Sequence, residues 1–147
     1  NRPISLLLID LDYFKLINDK HGHSAGDAAL RILAEHLKQT SRFGTDDIAR
    51  WGGEEFAVML SDSGHQSALR AAERLRRQIE TLIVSFNDES IHLEASIGMI
   101  VCRKGETLEM AMQRADLCLR QAKSQGRNRV MAFPEDLPTE SDNSSVA

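Results

Sequence analysis

Asp47-Ile48-Ala49-Arg50-Trp51-Gly52-Gly53-Glu54-Glu55-Phe56-Ala57-Val58-Met59-Leu60 reads as two short strands around a tight connection. The strands run from Asp47 to Trp51 and from Glu55 to Leu60, and a glycine pair between strands signals a hairpin because primed turns need positive φ. Upstream, Ile4 to Ile9 is an apolar run of strand length, led by Pro3 and closed by Asp10 and Asp12. Tyr13 to Asp19 then reads as a short helix ending at Gly22. Ser24 offers an N-cap to a longer helix with Leu30, Leu33, Ala34 and Leu37 on one face.

Downstream, a helix from Gln66 to Ile83 turns Leu69, Ala72, Leu75, Ile79 and Leu82 inward, and Arg70, Arg74, Arg76 and Arg77 read as a solvated outer face. Ile91, Leu93, Ala95 and Ile97 alternate with polar residues and run into Met99 to Val101, which predicts one long strand. Leu108, Ala111, Met112, Ala115, Leu119 and Ala122 form the inner stripe of a last helix stopped by Gly126, with Met110 and Met112 as core filler. Val130 to Phe133 closes as a short strand. The order βααββαβαβ implies an α/β fold with a mixed central sheet flanked by helices.

The length of 147 residues suits one domain, and 41% hydrophobic content can fill its core. Residues 1–133 form that domain, and 134–147 read as a disordered acidic tail or linker. Against 18 Lys and Arg stand 22 Asp and Glu, but Glu135, Asp136, Glu140 and Asp142 belong to the tail, leaving a neutral body of 18 against 18. A general basic coat for nucleic acid is excluded. No apolar run reaches the roughly 20 residues of a membrane span. No leader precedes the first strand, and the start at Asn1 reads as a processed or excised piece. Cys102 and Cys118 lack paired metal-ligand spacing, which fits a reducing cytoplasm and structural roles.

If the hairpin pairs beside the first strand, Asp10, Glu54 and Glu55 converge at one rim of the sheet. Oxygen ligands of this kind suit Mg²⁺ (or Mn²⁺), which expects substrate phosphates to complete its shell. Gly53 lets a ligand approach the backbone with no Cβ in the way. The amides around Tyr13 and Phe14 open a helix where an anion is welcome, with Lys15 one turn beyond Asp12. Lys123 and Arg127 stand four apart in a basic segment with Arg114, Arg120 and Arg129. A separate basic cluster beside acidic metal ligands is what a nucleoside triphosphate needs. Asn18 and Asp27 can pair a base edge, and a carboxylate suits the adjacent N–H donors of guanine. His21 and His23 read as packing or turn residues.

The chain resembles the GGDEF domain of diguanylate cyclases from about Ile4 to Phe133. The resemblance lies in Asp10-Leu11-Asp12-Tyr13-Phe14-Lys15, Asn18, Gly22-His23, Gly26-Asp27, Arg50-Trp51-Gly52-Gly53-Glu54-Glu55-Phe56, Ala95-Ser96-Ile97-Gly98, and Ala115-Asp116 through Ala122-Lys123 to Gly126-Arg127-Asn128. It implies the palm architecture of nucleotide cyclases and condensation of two GTP into cyclic di-GMP across a homodimer. Asp10, the Leu11 carbonyl and Glu54 would hold the metals, while Glu55 would be a metal ligand or a proton acceptor. Asn18 and Asp27 would read guanine, Gly53 would lie against the nucleotide, and Tyr13, Phe14, Lys15, Lys123 and Arg127 would serve the phosphates.

Two departures stand out. The family's inhibitory product site uses an Arg-x-x-Asp; here Asp46 holds the acid position, but Phe43 replaces the arginine and Arg42 lies one residue off. The family's leading Asp-x-Leu-Thr segment is absent from these residues, which places a sensor domain outside this chain. The rival expectation is a catalytically silent GTP-binding module acting on a partner domain.

Overall fold

Strand period decides how the molecule is layered. In β1 (Ile4–Leu11), successive side chains point to opposite faces of the sheet. Leu7, Ile9 and Leu11 enter one core, while Leu6 and Leu8 enter another. Both faces are therefore covered, and Leu6 to Ile9 are each at most 1% exposed. Burial of this kind contributes about 1.5–3 kcal/mol per side chain.

The computed structural model describes residues 2–42 and 46–134. After β1 come α1 (Phe14–His21), α2 (His23–Thr40), β2 (Asp46–Arg50), β3 (Glu55–Ser61) and α3 (His65–Glu80). They are followed by β4 (Ile83–Phe86), β5 (Glu89–His92), β6 (Ala95–Val101), α4 (Leu108–Ser124) and β7 (Val130–Ala132). The main sheet has the order β2-β3-β1-β6-β7, antiparallel except for the parallel β6–β7 edge, so the mixed α/β class stands. Strands β4 and β5 make a separate two-stranded sheet. The larger core gathers α1, α2, α3 and this hairpin on one face of the main sheet, and α4 covers the other.

Close approach of α4 depends on one residue. A Cβ at Gly98 of β6 would fall 2.3 Å from the Ala115 carbonyl oxygen and 2.6 Å from the Leu119 nitrogen, both backbone atoms of α4. Cys118 is buried on the inner face of α4 itself, and burial pushes its thiol pKa and that of Cys102 upward, away from reactivity.

Several sequence expectations are corrected. The long strand from Ile91 is two strands in different sheets, because alternation specifies a face but not a partner. The third helix ends at Glu80, and Ile83 opens β4 instead. Ser24 does not cap α2; the helix starts at His23 with Gly22 before it at φ 93°. Leu108 and Met110 are exposed, since the first turn of α4 runs past the edge of the sheet. Gly52 and Gly53 do not take positive φ. Four residues connect β2 to β3, so the two-residue primed turn is not required. Phe43 and the tail beyond Pro134 lie outside the described residues.

Gly98→Ala is expected to destabilise the fold by about 1–3 kcal/mol or more, because backbone of α4 cannot move aside as a side chain could. Thermal unfolding checks this; an unchanged melting temperature would mean that α4 does not rest on β6 as described.

Candidate active site

The same alternation that builds the two cores places the acids. Asp10 and Asp12 continue the row of Leu6 and Leu8, and so fall on the α4 face. Asp10 stands opposite Glu55 of β3 and Ser96 of β6 in the strand register. Glu55 begins β3 on the same face as Ala57, so a row of polar residues crosses the sheet beneath the C-terminal end of α4. The Leu11 N–H donates to the Glu54 carbonyl at 3.4 Å, which stitches the connection after Gly53 to the end of β1.

Asp10 is 2% exposed, and its Oδ2 accepts a hydrogen bond from the Lys123 ammonium. Its Oδ1 is buried with no partner. Burial pushes the carboxyl up to about 6; the Lys123 hydrogen bond and charge oppose this, and the charges of Glu54 and Glu55 add to it. The expectation of a basic cluster separate from the acids is thereby corrected: Lys123 lies within the acidic cluster as a counter-ion. Of the basic segment, Arg114 is held by Glu106, Arg120 by Asp116, and Arg129 donates to the Arg127 carbonyl. Only Lys123 and Arg127 face the rim.

The Arg127 guanidinium lies over the Tyr13 ring, 5.1 Å from its centroid. Tyr13 precedes α1 with φ 58°, and Arg127 and Asn128 follow α4 with φ 64° and 46°. Such left-handed backbone costs about 1–2 kcal/mol for a residue other than glycine, so all three require support from their surroundings. Sequence reading missed what supports them. Asp12 is buried, accepting from the Ser96 hydroxyl at 2.7 Å and from the Asn128 N–H at 2.8 Å. Arg50 is a second omission: its guanidinium donates to the Gly53 carbonyl at 2.6 Å and holds the connection. An acid two residues after Asp10 was the available signal for the first; nothing local distinguishes Arg50.

Asn18 of α1 and Asp27 of α2 stand on neighbouring helices, with Asn18 against Gly26, the residue before Asp27. Asp27, in the first turns of α2, lines a cavity of about 480 Å³ with Leu30, Ala34, Ile48, Arg50 and Phe56. Asn18 does not line that cavity. It packs on Gly26, whose absent Cβ would sit 1.9 Å from Asn18 Oδ1, and this oxygen is buried without a partner. Gly53 has nothing within 4 Å of a would-be Cβ, so its open face admits a ligand. Phe14 is half-buried against the core and Lys15 is exposed beside it. His21 is bound to Glu89 at 2.6 Å, tying α1 to the β4–β5 hairpin, in keeping with a packing role.

At the inhibitory position, Asp46 is engaged by Arg42, whose Nη2 donates to Asp46 Oδ1 at 2.7 Å and to the Ser61 carbonyl at 2.8 Å. Among the described residues no group of three or more His, Cys, Asp or Glu is arranged to hold a metal ion. The residues expected from the sequence to hold a metal at the rim are Asp10, Glu54 and the Leu11 carbonyl. The residues fit one: the donors are all oxygen, and Asp10 offers a buried, unpartnered oxygen among like charges.

Residues 1–129 match the family described as diguanylate cyclase, GGDEF domain. The chain is 39% identical to diguanylate cyclase A of Treponema denticola over 92% of this chain and 36% of that protein. It is 42% identical to the response regulator PleD of Caulobacter vibrioides, over 88% of this chain and 29% of that one. The chain thus spans about a third of these curated relatives. Among solved structures, the diguanylate cyclase SiaD of Pseudomonas aeruginosa, crystallised with its activator SiaC, superposes with a TM-score of 0.86 at 36% identity, over 90% of this chain and 50% of that one. The active GGEEF domain of a diguanylate cyclase from Vibrio cholerae gives 0.79 at 32% identity, over 92% and 85%.

Asp10→Asn should stabilise the metal-free protein at pH 7. A folded pKa of about 6 against an ordinary 3.8 means the native state binds more protons between these values, so stability falls as pH rises through that window. The variant should gain roughly 2–3 kcal/mol above pH 6, and the gain should vanish below pH 4. Urea unfolding at pH 4 and pH 7 checks this; a variant weaker than wild type at pH 7 would mean that the Lys123 bond outweighs the burial.

Proposed function

The chain belongs to the GGDEF domain family, and from that premise we propose that it is a diguanylate cyclase, condensing two GTP into cyclic di-GMP and two pyrophosphates. The observation that carries this reading is the Asp10 carboxylate, half paired to Lys123 and half unpartnered, set between Ser96 and the Glu54-Glu55 segment. Such an arrangement asks for a cation on one side and leaves an ammonium ready for an anion on the other.

Members of the family depend on a divalent metal. Asp10, Glu54 and the Leu11 carbonyl would hold it, here Mg²⁺ or Mn²⁺. Once bound, it would lower the pKa of the attacking hydroxyl and offset charge on the transferred phosphate. Lys123, which pairs with Asp10 Oδ2 and leaves Oδ1 open, would join Arg127 in offsetting the charge of the departing pyrophosphate. The first-turn amides of α1 after Tyr13, with Phe14 and Lys15, face the same anion, since helical starts leave N–H groups unpaired. Asp27 accepts from the two adjacent N–H groups of guanine, and the Asn18 amide donates to an acceptor on the base. Open space at Gly53 admits the nucleotide.

One domain binds one GTP and the product contains two, so two copies meet about a two-fold axis with their half-sites facing. Each 3′-hydroxyl attacks the α-phosphate of the opposite GTP in line; Glu55 takes the hydroxyl proton and pyrophosphate leaves. No helix among the described residues is long and apolar enough to cross a membrane.

Two outcomes are expected. Concentrated protein given GTP and Mg²⁺ should release cyclic di-GMP and pyrophosphate, and Glu54→Ala should lose this at unchanged circular dichroism. Normal production by Glu54→Ala would remove the metal assignment, and GTP binding without product in the wild type would favour the silent regulatory reading. Second, product should not inhibit tightly. Arg42 is consumed by Asp46 and Ser61, and Phe43 offers neither donor nor charge. Calorimetry of cyclic di-GMP on Glu54→Ala should therefore find no submicromolar site; such a site abolished by Arg42→Ala would show that the shifted arginine rebuilds it.

A further inference from the structure

The geometry points to Asp12 as a positioning residue for triphosphate recognition, acting through the backbone of Arg127-Asn128, and this rests on the nucleotide-binding reading above. Asp12 is 3% exposed, and each of its oxygens already accepts a hydrogen bond from within the fold. What it holds is specific. Its Oδ2 receives the N–H of Asn128 at 2.8 Å, and its Oδ1 receives the fully buried Ser96 hydroxyl at 2.7 Å. A carboxylate accepting two hydrogen bonds in a dry environment is a stiff anchor, because each bond is charge-assisted.

The anchored segment is the one that aims Arg127. After α4 the chain takes two successive left-handed residues, Arg127 at φ 64° and Asn128 at φ 46°. Three other bonds pin it: the Arg127 N–H donates to the Ala122 carbonyl at 2.9 Å, the Asn128 Oδ1 accepts from Arg76 of α3 at 3.2 Å, and the Ile97 N–H donates to the Arg129 carbonyl at 2.9 Å. Asp12, the residue that follows β1, joins this segment by a hydrogen bond to the end of the strand carrying Asp10. It therefore fixes the separation between the arginine at one end of the site and the acidic rim at the other. Tyr13, adjacent in sequence to Asp12 and stacked under Arg127, makes the aim dependent on the same anchor from below.

If Asp12 acts in this way, its loss must cost phosphate recognition and must do so through Arg127. Asn replaces the acid at equal volume, but it carries one acceptor oxygen where the two donors need two. The experiment measures binding of 3′-deoxy-GTP, which cannot be condensed, and of GMP, both with Mg²⁺, to wild type, Asp12→Asn, Arg127→Ala and the double variant. Asp12→Asn should weaken 3′-deoxy-GTP roughly tenfold, as expected for one charge-assisted hydrogen bond, and GMP less than about twofold. In the Arg127→Ala background the same change should cost less than about twofold. Equal losses for both nucleotides, or additive losses in the double variant, would overturn the proposal and leave the cyclase reading intact. A wild type that binds 3′-deoxy-GTP no better than GMP would overturn the phosphate roles of Lys123 and Arg127, and this proposal with them. Should Asp12→Asn fail to fold, Ser96→Ala removes one of the two bonds and should show the same coupling at about threefold; a Ser96→Ala loss unaffected by Arg127→Ala would overturn the proposal equally.

Discussion

A central strand covered on both faces cannot end in charged residues without consequences. β1 is hydrogen-bonded along both edges, to β3 and β6, and is packed between two cores. The strand nevertheless ends in Asp10 and continues into Asp12, both nearly inaccessible to water. Transfer of an ionised carboxylate into such a place is unfavourable unless partners replace the lost hydration. Three features around the C-terminal end of β1 answer that requirement: the last turn of α4, the segment that follows it and the Ser96 hydroxyl.

The two acids receive different answers. Asp12 is fully satisfied by neutral donors and keeps its place as an architectural charge. Asp10 receives one ammonium and no partner for its other oxygen, with two glutamates close enough to raise its pKa further. Two identical side chains, two residues apart on one face, thus divide into an anchor and a reactive group through their neighbours alone. Lys123 offsets the charge of Asp10 from the last turn of α4.

Much of this was legible in the sequence. The apolar run of β1, the hairpin after Asp46 and the helical stripe of α4 each follow from period alone, and so does convergence of Asp10 with Glu55 once the hairpin pairs beside β1. The β4–β5 hairpin was not legible, because Ile91, Leu93, Ala95 and Ile97 keep one alternation across the change of sheet. Lys123 was assigned to phosphate but not to Asp10, since nothing in a helix reports which strand residue lies beneath it. Asp12 was read as punctuation at a strand end: its partners lie 84 and 116 positions away. Arg42 shows the reverse case, in which a sequence offset of one residue from the family pattern coincides with a side chain already committed to Asp46.

The sheet order also sets when the protein can be finished. β1 precedes both strands that flank it, which belong to residues 55–61 and 95–101. Until β6 has been made, one edge of the Leu6-Leu7-Leu8-Ile9 run has no partner, and until α4 has been made one face has no cover. Closure over such separations is slow relative to helix formation, and an unpaired apolar strand is the kind of segment that associates with others of its sort. The nascent domain therefore carries this apolar run with one edge open until β6 is made, and Lys123 meets Asp10 only when α4 arrives.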